Sequence, residues 1–232
     1  GVQTCALPIF EQGFPDPGRC LLLCEEDTPA IRAVSLEDGT LLGVIPVPGI
    51  FATRRPNRGL EALAIDADGR HIWTANEEAL PTDGPLASGG EGSVVRIVRI
   101  PIPRADANED EGLQIAYASD PPHQFVRVFS GDPLSGIVAM MELAPDRLLV
   151  LERSGCPGLP PFESRLYMVD DLDEHDFLTS GHDPIAIADL RISKHLLWRE
   201  QTGCNVEGMC LGPERSRTER LMLAVSDNDG RG

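Results

Sequence analysis

Basic residues are scarce in this chain: 20 Lys and Arg stand against 37 Asp and Glu, a net charge of −17 over 232 residues. Phosphate backbones and anionic membranes are held by basic surfaces, so this balance argues against nucleic acid and anionic membranes as partners. The balance favours cations instead, as ligands or as diffuse counter-ions. No apolar run approaches the ~20 residues that cross a bilayer, so the chain holds no membrane span. No Cys-x-x-Cys pair and no Cys/His spacing offers a zinc site. There is no Gly-x-Ser-x-Gly, and none of the five histidines has an evident serine partner, which leaves serine chemistry without support. Long helices find little room, because 23 glycines and 20 prolines are spread throughout.

What the chain has is a repeated hairpin. Residues 57–78 start with Asn57 and Glu61, pass through an apolar strand, and turn at Ala67-Asp-Gly-Arg70. They return through a second apolar strand to Asn76, Glu77 and Glu78. Residues 205–229 repeat the pattern, from Asn205 and Glu207 to Asp227, Asn228 and Asp229. An antiparallel hairpin places the start of one strand beside the end of the other, so each copy gathers its oxygen-rich residues at one end. A third copy lies between them at residues 135–153, with the turn Ala144-Pro-Asp-Arg147. Its residue equivalent to Glu61 and Glu207 is Val138, and it ends in Glu152 and Arg153. Three such hairpins suggest one shared site.

Further short strands are expected at 21–26, 30–36, 41–48, 93–100, 113–118, 164–170 and 185–190. Residues 170–177 and 193–198 are ambiguous. Repeated units of about four strands predict an all-β fold, a β-propeller of four-stranded antiparallel blades. Roughly four blades would be present, forming an open arc. Glu61, Val138 and Glu207 lie 77 and 69 residues apart, wider than one blade, and Pro- and Gly-rich insertions at 80–92 and 156–163 account for the excess. The first of these is a candidate lid over the channel.

Residues 1–9 resemble a translated sequencing adapter, which would make Cys5 an artefact. The chain also stops inside an acidic loop, so residues 10–232 are expected to be a single domain truncated at both ends. Cys20 and Cys24 fall four apart on one strand, too far to bond each other. Cys156 and Cys204 sit near hairpin ends, where they would pair if the protein were exported. Cys210, Trp73 and Trp198 have apolar neighbours and are expected in the core.

Asn57-Arg-Gly-Leu-Glu61, Trp73-Thr-Ala-Asn-Glu-Glu78, Leu149-Val-Leu-Glu-Arg153, Asn205-Val-Glu-Gly208 and Val225-Ser-Asp-Asn228 occur in this order. With these motifs the chain, from about Cys20 to its end, resembles the phytase-like family described as having esterase-like activity. The resemblance implies an exported, calcium-associated β-propeller that hydrolyses phosphate or carboxylic esters. The partners it implies are a small anionic or ester substrate and a divalent cation, and the location it implies is periplasmic or secreted. Calcium takes six to eight oxygen ligands, and the candidates are Asn57, Glu61, Asn76, Glu77, Asn205, Glu207 and Asp227. Glu61 or Glu207 would act as general base where it is not a ligand. Arg58 and Arg153 would hold an anionic group by paired hydrogen bonds, or else form salt bridges with neighbouring glutamates. Asp66-Ala-Asp-Gly69 has a superficial EF-hand look but fits a hairpin turn better. A non-catalytic ligand- or partner-binding propeller, or a lactonase-type propeller, would use the same rim.

Overall fold

A computed structural model describes residues 19–25, 27–102, 112–172, 192–216 and 219–227. Among these there is no α-helix, and the chain is all-β with several antiparallel sheets. Alternating or continuous apolar stretches between Asp, Gly and Pro turns give strand after strand, as that composition dictates.

The first sheet has the order β1 (Cys20–Glu25), β2 (Ala30–Ser35), β3 (Leu41–Ile45), followed by a 3-10 turn at Gly49–Thr53. The second is a four-stranded meander of β4 (Leu60–Ile65), β5 (His71–Asn76), β6 (Val94–Pro101) and β7 (Leu113–Ala118). A small ribbon pairs β8 (Val126–Arg127) with β11 (Gly158–Leu159). The third large sheet runs β9 (Leu134–Ala144), β10 (Arg147–Gly155), β12 (Phe162–Asp170), β13 (Lys194–Thr202). The last is the hairpin β14 (Asn205–Glu214) and β15 (Arg220–Asp227). The expected strand at 185–190, and His175 and His182, lie outside the described residues.

Each large sheet presents its first strand to its neighbours. β1 lies against β4, β4 against β9, and β9 against β14. Three apolar seams follow from this. Ile31, Ile45 and Phe51 meet Leu60, Ile72 and Val98 between the first two sheets. Trp73, Val95, Ile97 and Ile115 meet Ile137, Met140, Leu148 and Val150 between the second and third. A thinner seam joins Val138, Ala139 and Leu151 to Val206 and Met209.

Two core expectations fail at the far end of the chain. Cys210 is exposed, and Trp198 is exposed on β13. The reason is position: β13 is the last strand of its sheet, and β14 and β15 form a two-stranded sheet that buries little on its own. The ambiguous segment 193–198 is strand from Lys194 onward, the start of β13. The insertion at 80–92 is pinned rather than poised as a lid. Asp83 and Arg96 form a fully buried ion pair at 2.6 Å, and Ala87 donates its N–H to Glu78 Oε2 at 3.2 Å. The Asp66 turn is a hairpin turn, closed by the Arg70 N–H on Asp66 Oδ1 at 2.6 Å.

Candidate functional site

All three repeated hairpins carry a β-bulge at the corresponding place. In β4 the register steps from Leu60–Asn76 to Ala62–Ala75, leaving Glu61 as the extra residue. In β9 it steps from Ile137–Glu152 to Ala139–Leu151, leaving Val138. In β14 it steps from Val206–Ser226 to Gly208–Val225, leaving Glu207. A bulge re-aims the side chains around it, and such bulges recur beside functional sites. The equivalence of Glu61, Val138 and Glu207 expected from the sequence is therefore built into the backbone. One position further out, Gly59 faces Glu77, Gly136 faces Arg153, and Asn205 faces Asp227.

These hairpin ends meet through one chain of ion pairs. Arg58 Nη1 donates to Glu77 Oε2 at 3.1 Å, and Arg58 Nε faces Glu78 Oε1 at 3.0 Å. Glu77 Oε1 accepts from Arg153 Nη2 at 2.5 Å. Arg153 Nη1 then donates to Asn205 Oδ1 at 2.8 Å and to Glu207 Oε1. Asn205 Nδ2 donates to the same Glu207 oxygen at 2.8 Å. Below them, the Ile137 N–H donates to the Glu77 carbonyl at 2.8 Å, tying the second hairpin to the first. Gly136 permits that approach, since a Cβ there would lie 2.1 Å from the Glu77 carbonyl oxygen.

Arg58, Glu77, Arg153, Asn205 and Glu207 are thus brought together in one chain of contacts. Asn76 joins it by donating Nδ2 to the Arg58 carbonyl at 3.3 Å, while its buried Oδ1 has no partner among the described residues. Asn57 takes part through its carbonyl, which accepts from Arg58 Nη1 at 2.7 Å, and its positive φ of 55° marks the turn into β4. Asp227 pairs with Asn205 through the ladder. Glu61 occupies the bulge, and its carbonyl accepts from the Cys24 thiol at 3.8 Å. The salt-bridge alternative for Arg58 and Arg153 is the arrangement observed.

Burial divides these groups. Glu77 and Glu78 are almost fully buried, whereas the Glu207 side chain is 34% exposed. Burial raises the Glu78 carboxyl above its ordinary value, with the Arg58 charge opposing. Beside Glu207, Asn205, Ser226 and Asp227 form one wall of a cavity of about 490 Å³, with Phe129, Cys156, Phe162 and Cys204 among its other lining residues. Both cysteines expected to pair are free thiols here.

The donor set fits a guanidinium better than a resident calcium ion. Calcium needs six to eight oxygens. Here Glu77 Oε1, Asn205 Oδ1 and Glu207 Oε1 are all engaged by Arg153. Among the described residues no group of three or more His, Cys, Asp or Glu side chains is placed to hold a metal ion.

Two features escape the sequence reading. His123 does have a serine partner: its Nδ1 lies 2.7 Å from Ser154 Oγ, and its Nε2 lies 2.9 Å from the Pro160 carbonyl. A carbonyl only accepts, so Nε2 carries a proton, and in the neutral ring Ser154 donates to Nδ1. The loop that carries His123 folds onto strand residue Ser154, 31 positions away in the chain. Ser154 is only 1% exposed, so the pair is closed to substrate and locks the loop onto β10. The second feature is a buried cluster around Glu152. It accepts from Tyr117 at 2.7 Å, Lys194 at 2.5 Å and the Asp120 N–H at 3.0 Å. Lys194 also pairs with Asp120 at 2.8 Å and stands over the Tyr117 and Tyr167 rings. It is the only lysine in the chain, and these are its two tyrosines. That rarity was the available signal.

An all-β protein of repeated hairpins with a carboxylate–guanidinium rim is the class these features define. The chain belongs to the phytase-like family: the family model described as esterase-like activity of phytase matches residues 14–230. No curated protein and no solved structure matches the chain. Family membership points to a hydrolase of the phytase or esterase-like kind. No helix among the described residues is long and apolar enough to cross a membrane.

Proposed function

We propose that the protein is an ester hydrolase, acting on a phosphate or carboxylic ester, with its site at the rim where the three hairpin ends meet. The observation that carries this reading is the ion-pair chain Arg58–Glu77–Arg153–Glu207, which leaves one reactive group open at each end. Glu207 Oε1 is fixed by Arg153 and Asn205, and no donor among the described residues reaches Oε2. A carboxylate held in this way can take a proton from a water attacking the ester. At the other end, Arg58 commits Nη1 to Asn57 and Glu77 and sets Nε beside Glu78 without a hydrogen bond, and Nη2 has no partner among the described residues. That nitrogen suits an anionic oxygen of the substrate or transition state. Glu61, at the matching bulge, is the second candidate base.

In the proposed arrangement the sheets are blades of a β-propeller, with β1, β4, β9 and β14 around the axis. Their successive contacts in chain order support this, as does the gathering of the hairpin ends. On this reading the rim is the mouth of the channel, and export places the protein outside the cytoplasm.

The test is turnover by the full chain on an aryl phosphate, an aryl carboxylic ester and a lactone. Hydrolysis of one ester class, with a KM for anionic substrate raised about tenfold in Arg58→Ala, is the expected result. A folded protein inert toward all three would favour the non-catalytic binding propeller.

A further inference from the structure

We propose that Arg153 is the resident cation of the rim, so that its guanidinium takes the place a calcium ion would hold. The inference does not depend on the protein being a hydrolase. It starts from the register of the three hairpins. At the bulge the chain places Glu61, Val138 and Glu207; one position outside the pair that closes the bulge, on the opposite strand, it places Glu77, Arg153 and Asp227. The first and third hairpins carry acids at both positions. The middle hairpin replaces one acid by a neutral valine and the other by an arginine. Positive charge thus enters the rim where its two neighbours supply negative charge.

Geometry agrees with that pattern. The two terminal nitrogens of Arg153 engage one oxygen each from Glu77, Asn205 and Glu207, which lie on the hairpins to either side. A planar guanidinium fork can serve several oxygens at fixed angles. Without Arg153, Glu77 would keep Arg58 on Oε2, but its almost fully buried Oε1 would face Glu207 as a like charge with no cation between them. Such a pair demands compensation, either by a bound ion or by a side chain. Arg153 supplies it covalently, at any ion concentration. Its charge also repels a divalent ion from the same oxygens.

The experiment uses the full chain. Calcium is titrated calorimetrically into wild type and Arg153→Ala, and thermal melts are recorded with added calcium and with chelator. Wild type is expected to show no saturable binding and coincident melts. Arg153→Ala is expected to melt lower in chelator and to recover by several degrees when calcium is added. Its vacated oxygens then have a ligand that stabilises the folded state. Saturable calcium binding by wild type that disappears in Glu77→Gln would overturn the inference, and so would a folded Arg153→Ala indifferent to calcium. If Arg153→Ala does not fold, the wild-type titration with Glu77→Gln still decides.

Discussion

Arg153 donates to Glu77 at 2.5 Å across 76 residues of sequence, and this single contact joins the ends of two hairpins that belong to different sheets. Glu77 is 2% exposed and holds a second arginine on its other oxygen. Removing one partner of a buried pair leaves the other uncompensated, which costs about 3–5 kcal/mol. Arg58 remains on Glu77 and Glu207 on Arg153, so Glu77→Gln and Arg153→Ala are each expected to lower the unfolding free energy by less than that, about 1.5–3 kcal/mol, in calcium-free buffer. The double variant should cost clearly less than the sum, because the contact can be lost only once. Additive losses in denaturant melts would show that the two residues do not share an interaction.

The hairpins also touch through backbone, at Gly136. A methyl group there would meet the Glu77 carbonyl oxygen at 2.1 Å, and backbone cannot rotate away. Gly136→Ala is expected to cost about 1–3 kcal/mol and to loosen the Ile137 to Glu77 hydrogen bond. Hydrogen exchange at Ile137 measures this, with faster exchange as the expected result.

Lys194 carries a separate prediction. Its ammonium bonds Glu152, which is wholly buried, and Asp120. Lys194→Met preserves much of the apolar stem but removes the charge, and a loss of about 3 kcal/mol is expected. An unchanged melting temperature would mean that Tyr117, Arg165 and the Asp120 N–H suffice for Glu152.

Acid should destabilise the fold. Burial pushes the Asp120 and Glu163 carboxyls upward, but their partners outweigh it: Lys194 and Tyr167 for Asp120, and Gln201, Arg199 and Arg165 for Glu163. Both therefore lie below their ordinary values when folded. The unfolded chain binds more protons in that window, so their stabilisation is present above the ordinary carboxylate range and is lost as pH falls through the folded values. Glu78 runs in the opposite direction, since its raised carboxyl favours the folded state only while protonated. Melting temperature is expected to fall on the acid side, and Glu163→Gln should flatten that fall while lowering stability at neutral pH. An acid slope unchanged in Glu163→Gln would contradict this assignment.

The local parts of this structure were legible in the sequence. Asp and Gly turns fixed the hairpins 57–78 and 135–153, and the alignment of Glu61, Val138 and Glu207 anticipated three equivalent positions. What could not be read was the bulge itself, because a two-for-one register has no fixed residue requirement. The Arg153 contacts were legible only as an alternative, since they depend on how one sheet packs on the next. His123 and Ser154 were missed for the same reason. Cys210 and Trp198 misled because an apolar strand reads as core whether or not a neighbouring sheet covers it.

In the proposed function Glu207 activates water at the rim. Its most direct test is kcat on an aryl ester or aryl phosphate at neutral pH, for wild type and Glu207→Gln of the full chain, with melting temperatures measured alongside. Gln keeps an oxygen acceptor for Arg153 but cannot take a proton. A fall in kcat of about 10²–10⁴-fold with the fold retained is the predicted result. Unchanged turnover in a folded Glu207→Gln would contradict it.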